Sequence, residues 1–382
     1  MLVRWDESRR ITREDADPNL SLEHKIELLS QIAAITFEKS HYFFEQSEVE
    51  QCIADYLRSL PNTKTDRATL QRDSKEILKA IEAQHGLFVE RARGIYSFSH
   101  LTFQEYFTAK YFVYNLNPQS LQVFSNKIIN KSWHEVFLLA VGIVQNADLL
   151  LLSMKQQIDS IVASELKLQQ FLCWIRQKSL SVQAAYKPAA VRVFYFAHEL
   201  LPDRYLARVL DHDLASASDL ALILLSSWDR DLLLALDLAK NTLVFGNELK
   251  INRDRTRTII CSLSYVYNYD IEPQLKYEVQ ELIVQLPDPD SHQTKFERWW
   301  KLKGQHWILQ LRYVMSEYFN IGHNWKFSKH QKELLKQYYD ANKVLVDCLN
   351  SGCELSSKVR QEIEDTLLLP IAEIDKRNQR MG

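Results

Sequence analysis

Apolar positions along the first hundred residues recur at helical spacing, then switch abruptly to short alternating runs. In 22–38, Ile26, Leu29, Ile32, Ala33 and Phe37 share one face of a helix. A second helix is predicted from Ser47, with Glu50 completing a capping box and Val49, Ile53, Tyr56 and Leu57 forming its apolar face. Pro61 breaks it, and a third helix is predicted over 68–84, with Leu70, Ile77 and Ile81 inward and mixed charges outward. The stretch 86–99 then reads as a β-hairpin, two short apolar runs around a turn in which Gly94 offers a positive φ. A helix from His100 to about Tyr114 follows at once, with Thr102 and Glu105 as a second predicted capping pair. Three helices, a hairpin and a helix make a winged-helix-type module over 21–115. Residues 1–20 are charged and poorly patterned, and read as the end of a truncated helical segment followed by a linker near Pro18.

Beyond 116 the pattern is helical only. A strong helix is predicted over 132–144, capped by Ser132 and Glu135, with others near 147–163, 166–180, 188–200 and 204–212. The Leu/Ala-rich tract 218–240 suggests degenerate stacking units. These helices form an expected α-helical, repeat-like domain over 116–286. The breaker 286–291, which holds two prolines, separates a C-terminal helical domain over 291–375 that is rich in aromatics, including Trp299, Trp300, Trp307 and Trp325. Pro370 is expected to stop its last long helix and the charged tail after Asp375 to be loose. The fold class is therefore mainly α: a winged-helix module with one short β-hairpin, followed by an all-α scaffold. The scarcity of turn residues agrees, with 8 glycines and 9 prolines in 382 residues.

Charge adds little, since 47 basic against 49 acidic residues provide no field for nucleic acid or an anionic membrane. Five cysteines include a single near pair, Cys348 and Cys353, at a spacing that fits no zinc site; they read as free thiols of a reducing cytosol. The charged N-terminus does not resemble a secretion signal, and the longest apolar run, 137–144, is too short to span a bilayer, so a cytoplasmic protein without membrane contact is expected.

No glycine is followed by lysine, so the phosphate-cradling P-loop is absent. Nor is there a nucleophile elbow, a zinc-protease helix or a dinucleotide fingerprint. The run from Leu232 to Asp237 imitates a magnesium-binding strand, but without a phosphate loop it reads as helix core. The chain alone is expected not to be an enzyme, and no metal site is expected.

The informative segment is Phe98-Ser-His-Leu-Thr-Phe-Gln-Glu-Tyr-Phe107. Spacing alone makes Phe103, Phe107 and Tyr111 core and His100 a polar residue at a helix start. The segment also resembles the hallmark of the winged-helix domain that follows the nucleotide-binding domain in NACHT proteins, which are signalling NTPases of the STAND class. The hairpin 86–96 before it is similar to that domain's hairpin, so the resemblance covers roughly 1–115. It implies that His100 contacts the β-phosphate of ADP held by a NACHT nucleotide-binding domain, in cis or in trans, and keeps the molecule closed. A helix N-terminus favours phosphate, and an imidazole N–H can donate to it. ADP or ATP with magnesium is the implied cofactor of the complete family architecture, not of this chain alone. On this reading the chain is a C-terminal fragment or split subunit whose nucleotide domain lies elsewhere.

Residues 120–382 are similar to the helical region after the winged helix in bacterial, notably cyanobacterial, NACHT proteins. The matching pieces are Ser132-Trp-His-Glu-Val-Phe-Leu138, Lys187-Pro-Ala-Ala-Val-Arg192 and Leu334-Leu-Lys-Gln-Tyr-Tyr-Asp-Ala-Asn342. The resemblance implies that this region senses an unknown trigger or partner, in systems such as anti-phage defence.

Other readings stay open. The chain could be a stand-alone helical binding scaffold, with Trp299 and Trp300 on a partner surface. DNA binding would need a basic recognition helix, but in 66–84 Arg67, Arg72, Lys75 and Lys79 are cancelled by Asp66, Asp73, Glu76 and Glu82, leaving Arg91 and Arg93 of the wing. Phe319-Asn-Ile-Gly-His323 loosely resembles the motif of HEPN ribonucleases, with phenylalanine where arginine is expected. His323 and Trp325 then read as packed residues.

Overall fold

The computed structural model describes residues 20–60, 66–181, 187–200, 227–244, 249–269, 271–323 and 325–381. By contact density the chain forms two compact units, Met1–Ile161 with Lys336–Ile363, and Val162–Leu335 with Glu364–Gly382.

The first unit opens with α1 (Leu22–Glu38), β1 (Phe44–Glu45), α2 (Gln46–Ser59), α3 (Arg67–His85), the hairpin β2 (Phe88–Ala92) and β3 (Ile95–Phe98), and α4 (Leu101–Tyr114). The predicted hairpin is present, with Gly94 at φ +74° in its turn. The sheet holds one strand more than expected. Its order is β1-β3-β2, with β1 antiparallel to β3 through Phe44 opposite Tyr96. Two residues are too few to show alternation in sequence; what makes them a strand is the partner.

The core of this module is one aromatic cluster. Phe88 lies 4.5 Å from Phe98 and 5.7 Å from Phe44, and Phe98 lies 6.2 Å from Phe107 of α4. Leu28, Leu29 and Ile32 of α1, Ile53 and Leu57 of α2, and Ile77 and Ile81 of α3 close around it. Burying a large apolar side chain contributes about 1.5–3 kcal/mol, so these interleaved faces hold the three helices to the sheet.

The capping predictions need correction. At α2 the N-cap is Glu45, whose N–H donates to Glu48 Oε2 at 3.4 Å, while Ser47 donates to Glu45 Oε2 at 3.3 Å and Glu50 takes the Gln46 amide at 2.6 Å. Pairing of β1 with β3 sets where the chain leaves the sheet, and that moves the helix start ahead of Ser47. At α3, Asp66 accepts from Thr69 N at 3.1 Å, and Gly86 at φ +57° ends the helix.

α5 (Pro118–Ser125) leads through 3-10 turns to α6 (His134–Ile143) and α7 (Asp148–Ala163). The predicted cap pair Ser132 and Glu135 gives way to a 3-10 turn, Lys131–Trp133, capped by Asn130, which accepts from Ser132 N at 3.1 Å.

Helices also make up the described part of the second unit. α8 (Leu166–Ser181) packs on α9 (Pro188–Leu200); α10 (Ser227–Val244) packs on α11 (Leu249–Asn268) and on α13 (Gln293–Phe319), and α12 (Pro273–Gln285) touches both of these. The expected helix 204–212 and the start of the 218–240 tract, like residues 1–19, lie outside the described residues. α14 (Lys329–Asn350), α15 (Ser357–Thr366) and α16 (Ile371–Met381) complete the chain.

The loose tail predicted after Asp375 is instead α16. Pro370 does not stop a long helix: α15 ends at Thr366, and the Pro370 carbonyl accepts from Glu373 N at 2.9 Å to start the next one. α16 is tied down by Glu373, which pairs with Arg176 of α8 at 3.0 Å, while Lys376 pairs with Glu373 within the helix at 2.8 Å. Sequence reasoning missed it because its exposed face is charged and its anchors are far along the chain.

Candidate functional site

β3 runs almost directly into α4, and His100 is the joint between them. Its backbone is extended, at φ −136° and ψ 146°, as expected of an N-cap. Two hydrogen bonds fix the peptide. Ser99 N donates to Leu87 O at 2.8 Å, and the His100 carbonyl accepts from Phe103 N at 3.1 Å. The imidazole is exposed and edge-on to Phe103 at 5.8 Å, and it makes no hydrogen bond among the described residues. No acidic residue occupies the first turn of α4, so the partial positive charge of this helix end has no carboxylate from its own first turn to answer it.

The predicted capping pair at this helix is also corrected. His100, not Thr102, is the N-cap, and Glu105 turns inward instead of back to the helix start. Burial first, and Glu135 second, push the Glu105 carboxyl above its ordinary range. Gln104 anchors the same turn from its buried side, donating to Thr36 Oγ1 at 2.9 Å and to His41 O at 3.0 Å.

Against Ser99 and Leu101, the neighbours of His100 in the chain, lies a hollow of about 250 Å³, lined also by buried Phe98 and Gln104, by Arg91, and by Tyr42 and Phe43; the His100 side chain is not part of its lining. Tyr42, Phe43 and Leu101 are apolar residues exposed by 41, 65 and 48%. Sequence reasoning placed Arg91 on the wing as a weak DNA-binding candidate. In the structure it folds back on its own hairpin, donating from Nε to Ser97 Oγ and from Nη2 to Ser99 O, each at 2.9 Å. A larger groove, of about 720 Å³, lies at the C-terminal end of α4, lined among others by Glu23, Glu27, Tyr56, Tyr111, Tyr114 and Asn115. There Tyr56 donates to Glu27 Oε2 at 2.7 Å; burial and this carboxylate push its phenol upward.

The three helical motifs singled out in sequence are held by long-range contacts. Trp133 is buried edge-on to Phe37 at 5.2 Å and Phe112 at 5.7 Å. Around it Lys131 pairs with Asp340 at 2.9 Å, and His134 Nε2 lies 3.2 Å from Asp347 Oδ2, so the motifs at 132–138 and 334–342 meet. In the second unit Arg192 is buried and donates to the carbonyls of Glu364, Asp365 and Leu367 at 3.2, 2.7 and 2.6 Å, while Lys187 pairs with Glu364 at 3.0 Å.

His323 sits in an aromatic box. Its ring lies 5.6 Å from both Trp174 and Trp325, its Nε2 is 2.8 Å from Asn320 Oδ1, and burial holds the imidazole below its usual range. Arg312 reaches this loop but donates to the carbonyls of Gly322 and His323. Trp300 and Trp307 are core residues whose indoles donate to Thr256 Oγ1 at 3.2 Å and Leu282 O at 2.8 Å; Trp299 is half-buried against Trp300. All five cysteines are free thiols. Among the described residues no group of His, Cys, Asp and Glu could hold a metal ion, and no helix is long and apolar enough to cross a membrane.

Two family models match the chain. Residues 2–112 match the winged helix-turn-helix domain C-terminal to NACHT, and residues 275–370 match the NACHT C-terminal helical domain 2. Both are non-catalytic domains. Searches of curated proteins and of solved structures found no match.

Proposed function

From a chain that carries the winged helix and the second C-terminal helical domain of NACHT proteins, we propose a regulatory and sensing role in a NACHT signalling NTPase. Such domains sit C-terminal to a NACHT NTPase domain. His100 contacts the β-phosphate of ADP bound by that nucleotide domain, in cis or in trans, and so favours a closed state. The helical region responds to a trigger or partner, with defence against phage as the setting. Trigger binding shifts the population toward an open state only as far as the trigger prefers that state.

The observation that supports this most is the state of His100: a hydrogen-bonded backbone joint, an exposed imidazole without a partner among the described residues, and a helix N-terminus with no acidic residue in its first turn behind it. Among the described residues its ring nitrogens have no protein partner and are open to one from outside.

The test mixes the chain with a NACHT nucleotide-binding domain and measures ADP affinity. Losing one charge-assisted hydrogen bond corresponds to about tenfold, so His100→Ala is expected to weaken ADP by that order. Unchanged ADP affinity in an associated pair sinks the latch.

A second reading, a stand-alone binding scaffold, is favoured by one feature. Leu302, Leu309 and Tyr313 follow one face of α13 at i, i+7 and i+11 and are exposed by 67, 43 and 61%. This reading holds if the nucleotide domain associates and His100 has no effect.

A further inference from the structure

Arg91 is a cation held in place without a carboxylate. Its Nε and Nη2 donate to Ser97 Oγ and Ser99 O, and the Ser97 hydroxyl in turn donates a hydrogen bond to Phe98 O at 2.9 Å. No acidic side chain pairs with Arg91 among the described residues. The guanidinium is therefore pinned by neutral acceptors, one of them the carbonyl of the residue before His100, and among the described residues Nη1 has no acceptor and the charge no carboxylate. A planar fork in that condition suits a phosphate or carboxylate arriving from outside.

The hollow beside it has a second unanswered group. Gln104 is buried and spends its amide nitrogen on Thr36 and His41, yet its Oε1 accepts nothing among the described residues. An acceptor in that wall suits a sugar hydroxyl, while Tyr42, Phe43 and Leu101 offer apolar surface. At about 250 Å³ the hollow falls short of complete small-molecule pockets, roughly 300–1,000 Å³. It has room for part of a ligand, as expected of a half-site.

We infer that Arg91 is a second phosphate-binding residue beside His100, and that the hollow receives the phosphate-bearing part of a nucleotide. The inference rests on the reading of His100 as a phosphate contact and adds a fixed cation to it. With that cation, weak binding becomes measurable in the chain alone.

The probe is inorganic pyrophosphate, titrated into the full chain labelled with 15N-histidine; the His100 signal is the one lost in His100→Gln. The expected result is a saturable His100 shift at roughly millimolar pyrophosphate, with half-saturation moved about tenfold higher in Arg91→Gln. ADP is expected to saturate at lower concentration than pyrophosphate, because the sugar reaches Gln104. The inference is overturned if Arg91→Gln titrates like the parent, if sodium chloride at equal ionic strength shifts His100 as much, or if His100 does not respond. ADP no tighter than pyrophosphate overturns the assignment to a nucleotide. With a nucleotide domain bound, an ADP loss in His100→Ala but not in Arg91→Gln removes Arg91 and leaves the latch; a loss in neither removes both.

Discussion

Replacing Gln104 by leucine tests whether α4 is fixed to α1 by the bonds described. Gln104 is buried and donates to Thr36 Oγ1 near the end of α1 and to His41 O in the loop that carries Tyr42 and Phe43. Leucine has a similar volume, so the cavity contribution is small and the cost is the two bonds. At about 1 kcal/mol each the loss is about 2 kcal/mol. It does not rise much further, because His41 is exposed and its carbonyl regains water, while Thr36 keeps its own donation to Ile32 O at 2.8 Å. Hydrogen exchange read by mass spectrometry reports this locally. Amides of α1 and α4 should open about 2 kcal/mol more easily, and those of α10 to α13 should not change. A change below about 0.5 kcal/mol, within the noise of a surface substitution, refutes the bracing role. Gln104→Glu adds a sign. The carboxylate cannot donate to His41 O but the protonated acid can, so burial raises its folded-state pKa above the unfolded value. The stabilising contribution is then present below the unfolded pKa and lost as pH rises through the folded one. A glutamate variant that matches leucine at every pH contradicts this account.

Two further predictions concern packing and charge. A Cβ at Gly304 would meet Trp300 Cε3 at 2.8 Å and Leu243 Cδ2 at 2.9 Å, and the indole is tethered to Thr256. Gly304→Ala should therefore cost about 1–3 kcal/mol from overpacking, despite the better helix propensity of alanine; thermal unfolding followed by tryptophan fluorescence measures it, and an equally stable variant rejects the packing. The Glu105 carboxyl is raised by burial and then by Glu135, so its contribution is present below the unfolded pKa and lost as pH rises through the folded one. Glu105→Gln should be more stable than the parent at neutral pH, with a flatter pH profile; stability curves that run parallel from acid to neutral pH argue against it.

Much of the winged helix is legible in sequence because its signals are local. Helical spacing in 22–38, the turn glycine at 94 and the aromatic run from Phe98 to Phe107 each specify structure within a single element or turn. The position of His100 at the start of α4 is legible in sequence, whereas the phosphate contact proposed for it comes from the resemblance alone. The rest was hidden where a distant residue decides. β1 exists because Tyr96 is opposite Phe44. The caps of α2 and α6 shift because sheet pairing and a 3-10 turn set the entry of the chain. Arg91 reads as a wing cation offered to solvent until Ser97 and Ser99 turn it back. Arg192 looks like an ordinary helix residue, and only the fold shows that it gathers three carbonyls from about 170 positions away.

α4 carries His100 at one end and Tyr111, Tyr114 and Asn115 on the wall of the larger groove at the other. Its 14 residues span about 21 Å as a stiff rod at 1.5 Å per residue. A rod of that length makes the two ends a lever: pivoting by about 5° at the groove end carries the imidazole end through about 2 Å. That is more than the roughly 0.6 Å that separates a well-made hydrogen bond from a lost one. Small changes in how the groove is filled are thus geometrically amplified, some two nanometres away, into the difference between a contact and a gap.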